Sequence, residues 1–301
     1  LSNVNSGDHV VFYNDIYGGT RNLIKKEFKK YGISYSFTSG PDLKDFENCI
    51  KKNTKGIYIE SPSNPLLKIV DMQLISKMAK SKKLWTMIDN TFASPVNQNP
   101  IDFGIDLVIH SATKYLGGHS DISAGAVISS KVRINRVYEL AKSLGGTLSE
   151  FSAWLLERSI KTLPIRVWQQ NENAMELANF LNSHSLISKV YYPGLINHEG
   201  HEIAKRQMKG FGGMLSIELH PSIKPELFLK NLKIIKPVMS LAGIESTANY
   251  PKLTSHYSLT DKERSLQAIS DQLIRLSAGI ESIIDLKNDI DNSLKWSENE
   301  N

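Results

Sequence analysis

Hydrophobic positions in the first half of the chain fall into short runs bounded by turn residues. Such runs are typical of strands buried on both faces of a parallel sheet. They cover residues 9–12, 34–37, 56–59, 84–88, 107–109 and 124–128. Between several of these runs, apolar residues recur with helical spacing, as in 20–31 and in 71–81, where Asp71 is a candidate N-cap. The alternation predicts an α/β domain with a mostly parallel sheet covered by helices.

The pattern changes after about residue 163. Long amphipathic stretches then mix with short alternating runs, which is typical of an α+β domain. Predicted helices cover 166–183, 225–232 and 281–296, and predicted strands cover 190–192, 213–219, 234–235 and 273–277. We therefore expect a large domain over residues 1–165 and a smaller C-terminal α+β domain over 166–301.

Composition narrows the possible partners. The chain has 301 residues and a net charge of +5, and its basic residues are scattered rather than blocked. Without a nucleic-acid motif, this distribution argues against a nucleic-acid partner. The single cysteine, Cys49, excludes an intrachain disulfide and a cysteine-built metal site, and favours a reducing, cytoplasmic location. No apolar run is long enough to predict a membrane span.

The strongest candidate for chemistry is the segment 111–121, which follows directly on the apolar run ending at residue 109. Lys114 then lies just past a buried strand, where ligands bind in open α/β sheets. Ser111 and Thr113 alternate on one side of an extended segment, so that both hydroxyls could face one anion. The alternative is a turn that carries an exposed lysine.

Two other predicted strands end in polar residues. Asp89 follows the run 84–88, where its carboxylate could pair with a protonated ring nitrogen and keep that ring an electron sink. A helix N-cap or an Asx-turn is the alternative for this residue. After the run 56–59, two prolines restrict the loop 60–65, which places Asn64 at the same rim; alone, that loop predicts only a rigid turn.

Four stretches carry motifs that occur together in one enzyme family. They are residues 60–67, 89–92, 111–121 and 273–281. With these motifs the chain resembles the Cys/Met-metabolism enzymes that depend on pyridoxal phosphate (PLP), and is most similar to cystathionine γ-synthase and γ-lyase. The resemblance implies PLP as cofactor, fold-type I (aspartate-aminotransferase-like) architecture, amino-acid substrates and a transsulfuration reaction. It also implies a homodimer or homotetramer with shared active sites.

The resemblance assigns the cofactor site residue by residue. It implies that Lys114 holds PLP as a Schiff base and later moves protons. Asp89 is implied to bind the pyridine nitrogen, and Ser111 and Thr113 the phosphate. Tyr17 matches the aromatic residue that stacks on the ring and assists proton transfer. A half-buried core tyrosine is the alternative for Tyr17.

The substrate site follows from the same resemblance. Arg275 is implied to bind the substrate α-carboxylate, because a planar guanidinium binds a carboxylate bidentately. An arginine in an otherwise apolar strand is costly unless it is paired, which favours a ligand independently. The resemblance also implies that Asn64 and Ser240 contact substrate, with Asn64 near the ring hydroxyl. Ser255 and His256 are weaker candidates.

Two departures from the family pattern leave the reaction open. The family's upstream Tyr-x-Arg pair and Gly-rich phosphate loop would precede residue 1, and we therefore expect this chain to be a fragment of a longer protein. Met239 stands where the synthase and γ-lyase pattern has a glutamate, as in methionine γ-lyase. We expect γ-replacement of an activated homoserine ester by cysteine. The alternatives are γ-elimination and a truncated, non-catalytic PLP-fold protein.

Overall fold

The computed structural model describes residues 1–254, 264 and 267–300, and within them the strands form two sheets. The first sheet has the order β2-β1-β3-β4-β5-β6. Its strands are β1 (His9–Phe12), β2 (Ser34–Phe37), β3 (Thr54–Glu60), β4 (Trp85–Asp89), β5 (Leu107–Ser111) and β6 (Gly125–Ser129). The second sheet has the order β7-β8-β11-β10-β9. Its strands are β7 (Ile187–Tyr191), β8 (Met214–Leu219), β9 (Lys236–Pro237), β10 (Thr247–Asn249) and β11 (Leu273–Ser277).

Helices connect and cover these strands. In the first half they are α1 (Gly18–Glu27), α2 (Leu43–Cys49), α3 (Met72–Ser81), α4 (Ser94–Asn97), α5 (Lys131–Leu144) and α6 (Glu150–Ile160). They continue with α7 (Leu163–Asn182), α8 (His201–Gln207), α9 (Pro225–Asn231) and α10 (Ile283–Asn299). The predicted cap of α3 is confirmed, because the Asp71 side chain accepts a hydrogen bond from the Leu74 backbone N–H.

The prediction of a mostly parallel first sheet is confirmed, with one correction. Strands β1 to β5 are parallel to their neighbours, but β6 is antiparallel to β5. Residues 112–124 connect these two strands through turns that contain the lysine, without the crossover helix that usually joins neighbouring parallel strands. The prediction of buried strands is also wrong for the two edge strands, β2 and β6, in which no residue is fully buried.

A mixed sheet and its helices make up the C-terminal half, as predicted. Strands β7, β8, β11 and β10 are antiparallel in turn, and β9 is parallel to β10. The core of this half packs helices α7, α9 and α10 on the sheet through fully buried side chains, among them Leu177, Ile217, Phe228, Ile274 and Ile290. The predicted boundary between residues 165 and 166 stays a prediction, since the α7 helix that spans it packs against both halves.

Sequence patterning missed several elements. Helices α2, α4, α5, α6 and α8 and strand β10 were not predicted, and the strand predicted at 234–235 lies instead at Lys236–Pro237. Helix α5 has no buried residue, so its apolar positions do not face the core of this chain. Within the described ranges, no helix has the length and apolarity needed to cross a membrane, and no His, Cys, Asp and Glu side chains cluster as a metal site.

Candidate active site

The site lies where strands β3, β4 and β5 end. These strands are adjacent and parallel, so their carboxyl ends meet at one edge of the sheet. The register pairs Glu60 at the end of β3 with Asp89 at the end of β4. Strand β5 ends at Ser111, three residues before Lys114. The parallel topology therefore brings together polar residues that are separated by more than 50 positions in the chain.

Lys114 lies in a turn that is held by its own backbone and by a buried arginine. The Gly118 N–H donates to the Lys114 carbonyl over 2.7 Å. From helix α7, the Arg166 guanidinium donates to the Tyr115 carbonyl (2.8 Å) and the Ser159 carbonyl (3.0 Å). Gly118 has φ +73°, and a Cβ there would lie 2.0 Å from Arg166 Nη1. Only glycine allows the turn to pack this closely on the guanidinium.

The Lys114 amine is placed where its neutral form is favoured. Burial, and then the positive charge of Arg275, lower the pKa of Lys114 below the ordinary lysine value. A neutral amine is the form of lysine that attacks a carbonyl carbon. The structure thus excludes the alternative in which Lys114 is simply an exposed turn residue, since the side chain is half-buried.

Asp89 is half-buried at the end of β4 and belongs to an Asx-turn. Its Oδ1 accepts from the Thr91 N–H (3.0 Å) and the Thr91 hydroxyl (2.5 Å). The Thr91 hydroxyl in turn accepts from the Ser111 N–H over 2.8 Å, so one side chain links the β4 and β5 ends. Burial raises the pKa of Asp89, and the two Thr91 contacts oppose that shift. Within the described part of the chain, Asp89 has no cationic partner.

The predicted arrangement of Ser111 and Thr113 is wrong in one respect. Ser111 ends strand β5, but Thr113 lies in the turn that follows it, so the two do not alternate along one extended segment. The Thr113 hydroxyl donates to the Ala124 carbonyl (3.3 Å) and accepts from the Ala124 N–H (3.0 Å). The turn forms because the Lys114 N–H bonds back to the Ser111 carbonyl at 3.0 Å. Phosphate binding by these residues stays a prediction.

Tyr17 lies at the N-terminus of helix α1 and presents its ring to the outside of this chain. The side chain is 58% exposed, which contradicts the alternative of a half-buried core tyrosine. A Cβ on Gly19 would lie 2.5 Å from Tyr17 Cε1, so the glycine leaves room for the ring. The Tyr17 N–H donates to Glu60 Oε2 over 2.7 Å, which attaches this loop to the end of β3.

Arg275 is buried in β11 and reaches across to the first sheet. It is 3% exposed, and its Nη1 donates to the Asn64 Oδ1 over 3.0 Å. Its Nη2 donates to the Met239 carbonyl at 3.0 Å. Its Nε is buried and has no hydrogen-bond partner among the residues that the structure describes. Burial lowers the pKa of Arg275 to about 10, and no carboxylate among the described residues pairs with this guanidinium.

Of the other predicted substrate residues, the structure describes Ser240. Ser240 is half-buried and follows Met239, the residue whose carbonyl accepts from Arg275. Its own carbonyl accepts from the Thr247 hydroxyl over 2.9 Å. Ser255 and His256 lie outside the described residues.

Sequence reasoning gave no role to three residues that build the site. Glu60 connects the Tyr17 loop to β3, Thr91 joins two strand ends, and Arg166 holds the lysine turn. Glu60 had a signal, because it ends a buried strand just as Asp89 does. Arg166 had none, since a charged residue in an amphipathic helix usually faces solvent.

The residues present fit PLP. The phosphopyridine ring would offer a cationic nitrogen, for which Asp89 is an unpaired, buried acid. Lys114 offers a desolvated amine for the aldehyde, and Tyr17 an exposed ring for stacking. Arg275 offers a guanidinium that has no carboxylate partner among the described residues and could bind the carboxylate of an amino acid. In the described part of the chain, Asp89 has no cationic partner and Arg275 has no carboxylate partner. The cofactor and an amino-acid substrate would supply these two partners.

Comparison with known proteins agrees with this fit. The family model described as Cys/Met metabolism PLP-dependent enzyme matches residues 1–295. A cystathionine beta-lyase of Lactococcus lactis subsp. cremoris is 44% identical over 98% of this chain and 78% of its own length.

Solved structures are also closely similar. Cystathionine gamma-lyase from Lactobacillus plantarum, complexed with L-serine, superposes with a TM-score of 0.95 at 39% identity. It matches 98% of this chain and 78% of its own. Cystathionine gamma synthase from Xanthomonas oryzae pv. oryzae, in complex with cystathionine, gives 0.95 at 38% identity over 99% of this chain and 78% of its own. These neighbours confirm the fold-type I class and the cofactor, and the chain belongs to the Cys/Met-metabolism PLP-dependent enzymes.

Proposed function

We propose that this chain cleaves a carbon–sulfur bond of cystathionine by PLP-dependent elimination. The observation that carries an amino-acid substrate is the buried Arg275 guanidinium, which has no carboxylate among the described residues and lies close enough to Lys114 to lower its pKa. Elimination is supported by the relatives at 42–45% identity, which are named cystathionine beta-lyase or gamma-lyase. Because the beta-lyases of Lactococcus lactis are 44–45% identical and the gamma-lyase of Bacillus subtilis is 42% identical, we favour cleavage on the three-carbon side.

The residues divide the work as their positions allow. Bound PLP would supply an electron sink for the pair of electrons left at the substrate Cα. Arg275 would hold the substrate carboxylate in a bidentate pair and so orient the Cα–H bond towards Lys114. The Lys114 amine would take that proton, and its lowered pKa raises the share of the neutral amine that can do so. Asp89 would keep its negative charge next to the ring nitrogen.

A second candidate is γ-replacement, in which cysteine adds to an activated homoserine ester. It is supported by the 38% identity and 0.95 TM-score to a cystathionine gamma synthase. Met239 bears on the choice, because its side chain is 61% exposed while its carbonyl contacts Arg275. An apolar side chain next to Arg275 would not pair with the distal amino group of cystathionine, which weakens selection for either end of the substrate.

We also propose that the chain forms a homo-oligomer through helices α5 to α7. Large apolar side chains are exposed there, and α5 buries none of its residues in this chain. The exposed set includes Tyr138 (61%), Leu144 (72%), Phe151 (69%), Trp154 (55%) and Trp168 (60%). An apolar surface of this kind on a single chain marks an interaction site. A second copy is the occupant we favour, because the family resemblance implies active sites shared between subunits.

Lys114→Ala should remove steady-state turnover by at least about 10³-fold, because the lysine is both the attachment point and the base. Mass spectrometry of the PLP-loaded protein after borohydride reduction should place the cofactor on Lys114 in the wild type and nowhere in the variant. Lys77→Ala, an exposed lysine of α3, serves as control and should behave as wild type. Undiminished turnover by Lys114→Ala would refute the assignment.

Arg275→Met should shift the pH dependence of cofactor attachment. The Arg275 charge lowers the pKa of Lys114, so its removal raises that pKa and leaves less neutral amine at a given pH. The attachment rate, followed by absorbance, should therefore rise at higher pH in the variant than in the wild type. The KM for cystathionine should increase about tenfold or more through loss of the charged contact. Arg206→Met, an exposed arginine of α8, should change neither quantity; an unshifted Arg275→Met profile would count against the site geometry.

Product analysis decides between elimination and replacement. With cystathionine, β-side cleavage gives pyruvate, ammonia and homocysteine, whereas γ-side cleavage gives 2-oxobutyrate, ammonia and cysteine. We expect pyruvate to predominate. Formation of cystathionine from O-succinylhomoserine and cysteine, without 2-oxo acid from cystathionine, would overturn the proposal in favour of γ-replacement.

The wild-type chain should sediment with at least twice the mass of one copy at micromolar concentration. Phe151→Glu combined with Trp154→Glu places two charges in the proposed contact and should lower the mass to that of a single copy. Ile196→Glu is the matched control, because Ile196 is 88% exposed on a loop elsewhere. A monomeric wild type, or a double variant of unchanged mass, would contradict this interface.

A further inference from the structure

Glu60 is a buried carboxyl for which neither the family resemblance nor the proposed reaction provides a role. It is the last residue of β3, is 5% exposed, and is the register partner of Asp89 on the neighbouring strand. In the described portion of the chain it has no cationic partner. Burying such a group is unfavourable unless it makes specific hydrogen bonds.

The two oxygens of Glu60 join loops that leave different strands. Oε2 accepts from the Tyr17 N–H over 2.7 Å, at the start of α1. Oε1 accepts from the Asn64 N–H over 3.3 Å, in the proline-bounded loop after β3. Asn64 in turn accepts from Arg275 through its side chain. One carboxyl group is thereby connected to both the exposed tyrosine ring and the buried guanidinium.

Burial and a neighbouring acid shift the pKa of the Glu60 carboxyl group. Burial, and then the nearby Asp89 carboxyl, raise the pKa of Glu60 well above the usual range of a carboxyl group. Two adjacent carboxyl groups do not both ionise readily, so each makes ionisation of the other less favourable. The hydrogen bonds from Tyr17 and Asn64 oppose this shift without providing a counter-charge.

We propose that Glu60 is a positioning residue that fixes the Tyr17 ring for stacking and the Asn64 side chain for holding Arg275. The proposal rests on the function proposed above, because it takes Tyr17 as a cofactor contact and Arg275 as the substrate contact. It predicts two separable effects. Loss of the Tyr17 contact affects cofactor binding, and loss of the Asn64 contact affects substrate binding.

The test is Glu60→Gln, which keeps the shape of the side chain but retains only one acceptor oxygen for the two backbone N–H groups. We expect the apoenzyme to bind PLP about tenfold more weakly in an absorbance titration. We also expect the visible circular dichroism of the bound cofactor to fall relative to its absorbance, because the ring is held less firmly. The KM for cystathionine should rise more than kcat falls.

Asp289→Asn is the matched control. The Asp289 carboxyl is 6% exposed and accepts from the backbone N–H groups of Lys233, Ile234 and Ile235, in the second half of the chain. It therefore loses the same kind of contact far from the proposed cofactor. We expect a lower melting temperature with unchanged PLP affinity, dichroism and KM. If Glu60→Gln shows this same pattern, Glu60 is merely structural and the proposal is overturned.

A double-mutant cycle with Tyr17→Leu separates positioning from general damage. If Glu60 acts on the cofactor through Tyr17, then Glu60→Gln should change PLP affinity less than about twofold once the ring is gone. Multiplied effects in the double variant would show that the two residues act independently and would refute the proposal. Should Glu60→Gln fail to fold, Glu60→Asp shortens the side chain by one methylene and is expected to give the same pattern of coupling.

The outcomes also distinguish this inference from the function on which it rests. If the wild type attaches PLP at Lys114 and cleaves cystathionine while Glu60→Gln is indistinguishable from it, only the role of Glu60 fails. If the wild type attaches no PLP, the proposed function itself fails.

Discussion

A buried guanidinium for which the described residues provide no carboxylate is the constraint on which this structure depends. Arg275 lies in the second sheet, yet one of its two side-chain hydrogen-bond partners, Asn64, belongs to a loop of the first. An amide and a backbone carbonyl solvate the charge but do not neutralise it, and an uncompensated buried cation costs several kcal/mol. The rest of the fold must offset that cost, and a substrate carboxylate would remove part of it. The position of Arg275 in the site therefore depends on a contact between the second sheet and a loop of the first.

The burial that surrounds Arg275 also shifts the pKa values of the ionisable groups near it. Burial lowers the pKa of the Lys114 amine, and the positive charge of Arg275 lowers it further. Asp89 and Glu60 are acids in the same buried region, and the burial raises the pKa of both. Titratable groups whose pKa values are shifted in this way cluster at functional sites. The cofactor would offer a cationic ring nitrogen to Asp89, and an amino acid would offer its carboxylate to Arg275.

Hydrogen bonds between loops turn these groups into one unit. Thr91 joins the ends of β4 and β5, Glu60 joins the loops after β1 and β3, and Arg166 connects α7 to the lysine turn. Groups held by rigid strands and by such supporting contacts keep the geometry that catalysis needs. This common framework serves elimination and replacement alike. The framework by itself does not distinguish the two reactions, and Met239, whose carbonyl contacts Arg275, is a position at which the chain departs from the synthase and γ-lyase pattern.

The sequence by itself determined where most strands of the first sheet lie and which polar residues follow them. Apolar runs predicted the parallel strands, and polar residues at the ends of three strands indicated Asn64, Asp89 and Lys114, because parallel strands have their carboxyl ends at one edge. Motif resemblance then indicated the family and the cofactor. Tertiary structure alone decided that β6 runs antiparallel, that Thr113 turns towards Ala124, and that Glu60 and Arg166 support the site. These features depend on contacts between residues far apart in the chain, and neither periodicity nor propensity carries information about such contacts.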